Sequence, residues 1–273
     1  MRTISTYCRK ENTINTQKTE ISWGNSSHRP GKLYVVGIGP GARNEISQRA
    51  LDALKISETI AGYRLYVDMV KDIVEGKQII ATAMRKEIER VELAIQEAQG
   101  GKVVSIISSG DPGVYGMAGL VLELAYKKNI NLPIEIISGI PAANAAAAAL
   151  GAPLMHDYAV ISLSDLLTPW ETIEKRVKCA AEADYVIVLY NPKSSQRDWQ
   201  IQKTTDILLQ YKSPSTPVGI VKGVSREDES IILTTLDKMT SCLIDMTTII
   251  IIGNSTTFIY RNYMITKRGY HLE

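Results

Sequence analysis

Phenylalanine occurs once in these 273 residues, and cysteine and histidine three times each. Cys8, Cys179 and Cys242 are far apart, odd in number and free of any CxxC or Cys/His pairing. That argues against a disulfide framework or a structural zinc and fits a reducing compartment. His28, His156 and His271 have no ligand spacing either, so no metal is expected on the protein's own side chains. An excess of one charge is also missing: 31 Lys and Arg face 29 Asp and Glu. Neither nucleic acid nor a membrane surface is an expected partner, and an anionic ligand has to be met by a local basic cluster. Long apolar runs are absent; residues 249–252 are far too few to span a bilayer. Residues 1–10 lack the apolar centre of a signal peptide, so the expected location is cytoplasmic.

What is present is ordinary for a soluble domain, with 45% apolar and 22% charged residues and enough length to bury a core. Residues 1–31 are polar and aperiodic, ending in Arg29-Pro30-Gly31, and are expected to form a flexible N-terminal extension. From Lys32 the pattern alternates short apolar runs with helical spacing. Strands are expected at 33–36, 58–61, 78–81, 103–107 and 134–137, and helices at 46–56, 87–98, 120–126 and 142–150. That order predicts an N-terminal α/β domain, 32–150, with a mostly parallel, helix-covered sheet. Gly151-Ala152-Pro153 breaks the rhythm and marks the expected boundary of a C-terminal α/β domain, 151–273. There, strands at 159–163, 185–190, 218–221, 231–235, 248–252 and 258–264 have helices only at 170–181 and 199–211, which predicts a mixed sheet. The active-site cleft is expected between the two domains.

The richest stretch is Ser108-Ser109-Gly110-Asp111-Pro112-Gly113-Val114-Tyr115-Gly116-Met117, directly after an apolar strand. Ligands of α/β sheets sit at such strand ends. Gly110 and Gly113 permit close backbone approach, and Asp111 can fold its carboxylate onto nearby N–H groups. Asp-Pro-Gly is equally an ordinary turn, so the loop alone does not decide. Gly37-Ile38-Gly39-Pro40-Gly41-Ala42 fits the dinucleotide fingerprint and raises an NAD-dependent oxidoreductase as an alternative. Two features count against it: Pro40 removes an N–H from the loop, and the second strand ends in Ala61-Gly62-Tyr63-Arg64 with no acidic residue for a ribose.

The Gly37–Gly41 loop, Ser109-Gly110-Asp111-Pro112 and Ser138-Gly139-Ile140-Pro141-Ala142-Ala143-Asn144 occur in an order that resembles the tetrapyrrole methylases. His156-Asp157-Tyr158-Ala159-Val160-Ile161-Ser162-Leu163-Ser164-Asp165-Leu166-Leu167-Thr168-Pro169-Trp170 narrows the likeness. So do Tyr190-Asn191-Pro192-Lys193-Ser194, Ile252-Gly253-Asn254-Ser255 and Thr266-Lys267-Arg268-Gly269-Tyr270. Together they resemble the precorrin-3B / cobalt-factor III C17-methyltransferase family of cobalamin biosynthesis over about residues 32–270.

This resemblance implies two α/β domains, a homodimer, and S-adenosylmethionine in the interdomain cleft beside a tetrapyrrole, with S-adenosylhomocysteine as product. It implies methylation of C17 with ring contraction of precorrin-3B or cobalt-factor III, giving precorrin-4 or cobalt-precorrin-4. Any cobalt would arrive within the substrate. Cofactor contacts carry over onto Pro40, Gly110, Asp111, Val114, Pro141, Ala142 and Asn191, with another near Val224. Related siroheme-forming methylases have Thr-Ala at Pro141-Ala142, Met at Asn191, and an acidic catalytic residue where Tyr63 aligns. A sibling methylase of other regiochemistry and a non-catalytic tetrapyrrole carrier are the remaining alternatives.

The chemistry adds its own requirements. Methyl transfer needs donor and acceptor held close and aligned. A substrate bearing many carboxylates needs Arg and Lys around it. Arg64, Lys193 and Arg226 are the expected substrate-binding residues, drawn from a wider set with Arg85, Lys86, Arg197, Lys267 and Arg268. Ring contraction calls for a general acid or base, for which Tyr63, His156, Ser162 and Asp165 are the candidates. For two of them a plainer role competes: His156 as a hinge bonded to backbone, Asp165 as a helix cap. Residues 142–149 suit a snug adenosine site, although plain helix packing explains their alanines at least as well.

Overall fold

The computed structural model describes residues 31–83, 85–194 and 197–271. Of the expected N-terminal extension, residues 1–30 lie outside the described residues. The first half runs β1 (Lys32–Gly37), a 3-10 turn (Arg43–Glu45), α1 (Gln48–Ile56), β2 (Thr59–Tyr63), α2 (Arg64–Asp68) and β3 (Gln78–Thr82). It continues with α3 (Glu87–Gln99), β4 (Val103–Ser108), α4 (Ala118–Lys127), β5 (Ile134–Ile137) and α5 (Ala142–Leu150). The strand order is β3-β2-β4-β1-β5, and every pairing is parallel. Alternation along β1 explains the layers: Tyr34 and Val36 pack with Ala50, Leu54 and Val67 on one face. Leu33 and Val35 pack with Val91, Ala94 and Val121 on the other. Because β1 lies between β4 and β5, the loops leaving these three strands are neighbours in space.

The second half runs β6 (Gly151–Ala152), β7 (Tyr158–Ser162), α6 (Trp170–Glu182), β8 (Val186–Tyr190), α7 (Trp199–Leu208) and β9 (Pro217–Lys222). Then come β10 (Ser230–Thr235), a 3-10 turn (Leu236–Ser241), β11 (Thr248–Ile252), β12 (Thr257–Tyr260) and β13 (Tyr263–Thr266). The larger sheet, β10-β9-β11-β8-β7, is mixed; only β7 and β8 pair in parallel. A small third sheet, β12-β13-β6, ties the residues just after α5 to the C-terminal hairpin.

One face of the mixed sheet packs on α6 and α7 through Ile187, Leu189, Val218 and Ile250. The other face is covered by α5, whose Ala143, Ala145, Ala146, Ala147 and Leu150 meet Val186, Val188, Val221 and Ile251. The alanines thus serve helix-on-sheet packing, and their small size lets Leu150 reach Gly219, where a Cβ would stand 2.4 Å from Leu150 Cδ1.

The structure revises several boundaries. The run 258–264, expected as one strand, is a hairpin whose turn holds Arg261 at φ 54°. The helix expected from residue 46 begins at Gln48, behind Ser47, whose hydroxyl caps Ala50 N. The helix expected to reach 211 ends at Leu208. The glycine loop after β1 leads into a 3-10 turn rather than into a helix N-terminus. It therefore lacks the dipole-backed anion site that a dinucleotide pyrophosphate needs.

Candidate active site

Three glycine turns at the ends of β1, β4 and β5 are welded together. Gly110 N donates to Gly39 O at 2.7 Å, and Gly39 N donates to Gly110 O at 3.2 Å. Asp111 completes the joint: Oδ1 accepts from Gly113 N at 2.8 Å and Oδ2 from Gly139 N at 3.1 Å. Its carboxylate therefore shapes the turn, as an Asx residue does. Side chains have no room here. A Cβ on Gly139 would lie 2.2 Å from Gly110 O, and one on Gly37 2.6 Å from the same oxygen.

These turns form one wall of a cleft, with Pro40, Gly110, Asp111, Val114, Pro141 and Ala142 on its surface. The opposite wall comes from the second half: Tyr190 and Asn191 after β8, Val224 and Arg226 after β9, and 246–249 at the start of β11. The cleft encloses about 780 Å³, open solvent at its mouth included. All eight positions expected to contact a cofactor line it, although they come from five separate strand ends. Arg226 lies there too, and its Nε donates to Pro40 O at 3.5 Å, so the walls touch.

Three phenols line the same cleft, Tyr66, Tyr115 and Tyr190. Burial raises the pKa of each above the ordinary tyrosine value, so they are neutral hydrogen-bonding groups around pH 7. Tyr190 Oη accepts from Ala143 N at 2.9 Å, satisfying a free N–H in the first turn of α5.

A second cavity opens beside the first, lined by Arg85, Glu87, Ser164, Asp165, Leu166, Ser194 and Arg197. Asn191 and Met246 line both. Asp165 Oδ2 accepts from Gln200 Nε2 at 2.9 Å, and Arg197 Nε stands 3.9 Å from Oδ1. Arg197 donates to Leu163 O at 2.8 Å and Asn191 O at 2.7 Å, joining the loops after β7 and β8. Burial pulls the Arg197 pKa down, with Asp165 opposing the shift. Asp165 does not cap α6; Pro169 occupies the N-cap.

The other expected residues lie elsewhere. Tyr63 is at the end of β2, its ring edge-on to Tyr66 at 5.4 Å, one layer behind the cleft. Arg64 opens α2 and is exposed, outside both cavities. His156 is exposed, and its Nδ1 accepts from Asp157 N at 2.9 Å, the backbone-bonded role. Lys193 is half-buried after β8, outside both cavities. Ser162 ends β7, and its Oγ accepts from Asn191 Nδ2 at 2.9 Å. Among the described residues, no group of three or more His, Cys, Asp or Glu side chains is placed to hold a metal. None of the described helices is long and apolar enough to cross a membrane.

Sequence reasoning missed Tyr66, Tyr190 and the 246–249 segment. Tyr190 had a signal, its place at a strand end before Asn191, whereas Met246 belongs to no motif.

The family described as Tetrapyrrole (Corrin/Porphyrin) Methylases matches residues 32–240. A probable cobalt-factor III C(17)-methyltransferase of Salmonella typhimurium is 50% identical over 240 residues, covering 88% of this chain and 100% of that protein. The cobalt-factor III methyltransferase of Priestia megaterium is 50% identical over 244 residues, covering 88% of this chain but 45% of that longer protein. The crystal structure of the methyltransferase CobJ superposes with a TM-score of 0.83 at 35% identity, covering 87% of this chain and all of that one. With the family's pattern spanning most of its length and a full-length relative at half identity, the chain belongs to the tetrapyrrole (corrin/porphyrin) methylases.

Proposed function

We propose that this chain is an S-adenosylmethionine-dependent methyltransferase acting on C17 of cobalt-factor III in cobalamin biosynthesis, with contraction of the macrocycle. The observation that carries the reading is convergence: expected cofactor positions from five loops line one cleft, which adjoins a second cavity at Asn191. Cobalt-factor III is preferred to metal-free precorrin-3B because both relatives at 50% identity are named for it.

The cleft has features that suit S-adenosylmethionine. Its wall of turns leaves no room for a Cβ at Gly37 or Gly139, and its polar lining combines three phenols, Ser109, Asn191 and two threonines with Asp111 and Arg226. We assign the cofactor to Pro40, Gly110, Val114, Pro141, Ala142, Asn191 and Val224, with Asp111 holding the turn beneath it. When bound there, S-adenosylmethionine supplies an electrophilic methyl group on sulfonium. The protein's task is then to hold the acceptor carbon in line and keep water out.

The second cavity takes the tetrapyrrole in this reading. Arg85 and Arg197 offer positive charge to its carboxylates. Of the four acid/base candidates, Asp165 lines the second cavity while Tyr63, His156 and Ser162 line neither of the two, so Asp165 is assigned the proton handling of ring contraction. Arg226 faces the cofactor side. A two-domain division at 150/151, a homodimer and a cytoplasmic location complete the proposal.

The test is incubation of purified protein with methyl-labelled S-adenosylmethionine and either cobalt-factor III or metal-free precorrin-3B, read by mass spectrometry and absorption. Label and a contracted-ring spectrum from the cobalt substrate are expected. Label only from precorrin-3B would move the enzyme to the metal-free route. No label in either, with S-adenosylhomocysteine still bound, would overturn the substrate.

A further inference from the structure

Strand β7 is the edge of the mixed sheet, paired on one side only, with β8. Its outward N–H and C=O groups need other partners. Two of them find one in the opposite half of the chain. Tyr115 Oη donates to Val160 O at 3.1 Å and accepts from Ser162 N at 3.1 Å. Tyr115 belongs to the loop that carries Gly110, Asp111 and Val114 into the cofactor cleft. Its φ is 54°, a region a tyrosine seldom adopts, and its ring rests 5.3 Å from that of Tyr190. A strained residue is held here by a contact across the cleft.

The contact continues beyond β7. Ser162 Oγ accepts from Asn191 Nδ2 at 2.9 Å and from Ser164 N at 3.2 Å. Both of its lone pairs are occupied, which leaves it no capacity as a base. Asn191 is itself left-handed, at φ 49°, and lines both cavities. A hydrogen-bonded path thus runs from the cofactor loop, through Ser162, to the junction across which a methyl group would pass.

We infer that Tyr115 is a positioning residue for methyl transfer, its hydroxyl acting through Ser162 to fix the Asn191 carboxamide between the two cavities. This inference rests on the methyltransferase reading above. In-line transfer is steeply sensitive to such placement, because a shift of about 1 Å lowers a rate by roughly 100-fold.

The test uses the full chain as wild type, Tyr115→Phe, Ser162→Ala and the double variant. Turnover of cobalt-factor III gives kcat and KM, calorimetry gives the S-adenosylhomocysteine Kd, and amide hydrogen exchange is followed without ligand. Each single variant is expected to lower kcat by about 10-fold or more while Kd stays within about twofold, and the double is expected to match the worse single, as members of one unit do. Ser162→Thr, which keeps the hydroxyl, restores kcat. Tyr115→Phe is expected to speed exchange in β7 and also at residues 190–194. Additive kcat losses, an unchanged kcat, or faster exchange confined to β7 would overturn the inference. A wild type that binds S-adenosylhomocysteine but methylates no tetrapyrrole sinks the reading beneath it; the exchange data then still decide whether Tyr115 sets Asn191.

Discussion

One wall of the first cavity is built from glycine and proline turns, whereas charged and polar residues such as Arg85, Glu87, Asp165 and Arg197 line the second. Around the first, glycine and proline turns from three parallel strands leave no space for a Cβ, and the one carboxylate there, Asp111, is spent on holding the turn. Around the second, Asp165 from the loop after β7 meets Arg197 from the loop after β8, with Gln200 of α7 bonded to Asp165 behind them. Backbone walls tolerate almost no substitution and recognise shape. Side-chain walls are held by individual hydrogen bonds, and each can be removed without unfolding the chain.

That contrast can be attacked directly. The largest effect is expected from Gly139→Ala, whose Cβ would meet Gly110 O at 2.2 Å. A stability loss of about 3 kcal/mol is expected from such overpacking, read by denaturant titration together with lost S-adenosylhomocysteine binding. Gly119→Ala is its control: with nothing within 4 Å of the new Cβ in α4, a gain of about 0.5–1 kcal/mol is expected. Asp165→Asn probes the other wall. It is expected to lower turnover of the tetrapyrrole by roughly 100-fold, the scale of a general acid or base, while calorimetry gives an unchanged S-adenosylhomocysteine affinity. Equal losses on both sides would erase the distinction between the cavities.

Smaller effects sharpen it. Arg197→Met removes two donated hydrogen bonds, and a loss of about 2 kcal/mol in urea unfolding is expected from freeing their acceptors. Turnover is expected to fall more than cofactor affinity, because Asn191 loses its anchor. Tyr190→Phe removes the acceptor for Ala143 N at the start of α5, and about 1 kcal/mol is expected, the scale of a lost cap. The smallest effect lies at high pH. Burial raises the pKa of Tyr66, Tyr115 and Tyr190, so their stabilising contribution is complete below the unfolded value near 10 and is lost as pH rises through the folded value. Tyr115→Phe and Tyr190→Phe are expected to unfold at higher pH than wild type, relative to their own stability at pH 8, in alkaline thermal scans.

The same contrast explains what the sequence made legible. The parallel sheet and its glycine turns are written locally, because φ-permissive residues next to apolar runs mark strand ends. Local pattern marks the Gly110 turn as a ligand-side strand end, whereas it takes the family resemblance to join Pro40 and Pro141 to it, because the pairing of β1 with β4 and β5 is not written in any one segment. Asp165 was found only through a long motif, and its partners Arg197 and Gln200 lie 32 and 35 residues further on, a distance no local pattern bridges. Tyr63 and Arg64 sit at a strand end as expected, yet the short helix α2, which no periodicity announced, begins at Arg64, and it is Tyr66 that lines the cleft. The 258–264 run misled because apolar residues on both sides of Arg261-Asn262 hide the hairpin turn.

A crystal structure of the full chain with S-adenosylhomocysteine would test the division of labour most directly. The account predicts the ligand against Gly110, Pro141 and Ala142, its thioether sulfur turned toward Asn191, with the cavity around Asp165 left free. Ligand density among Asp165, Arg197 and Leu166, with the glycine turns uncontacted, would contradict it.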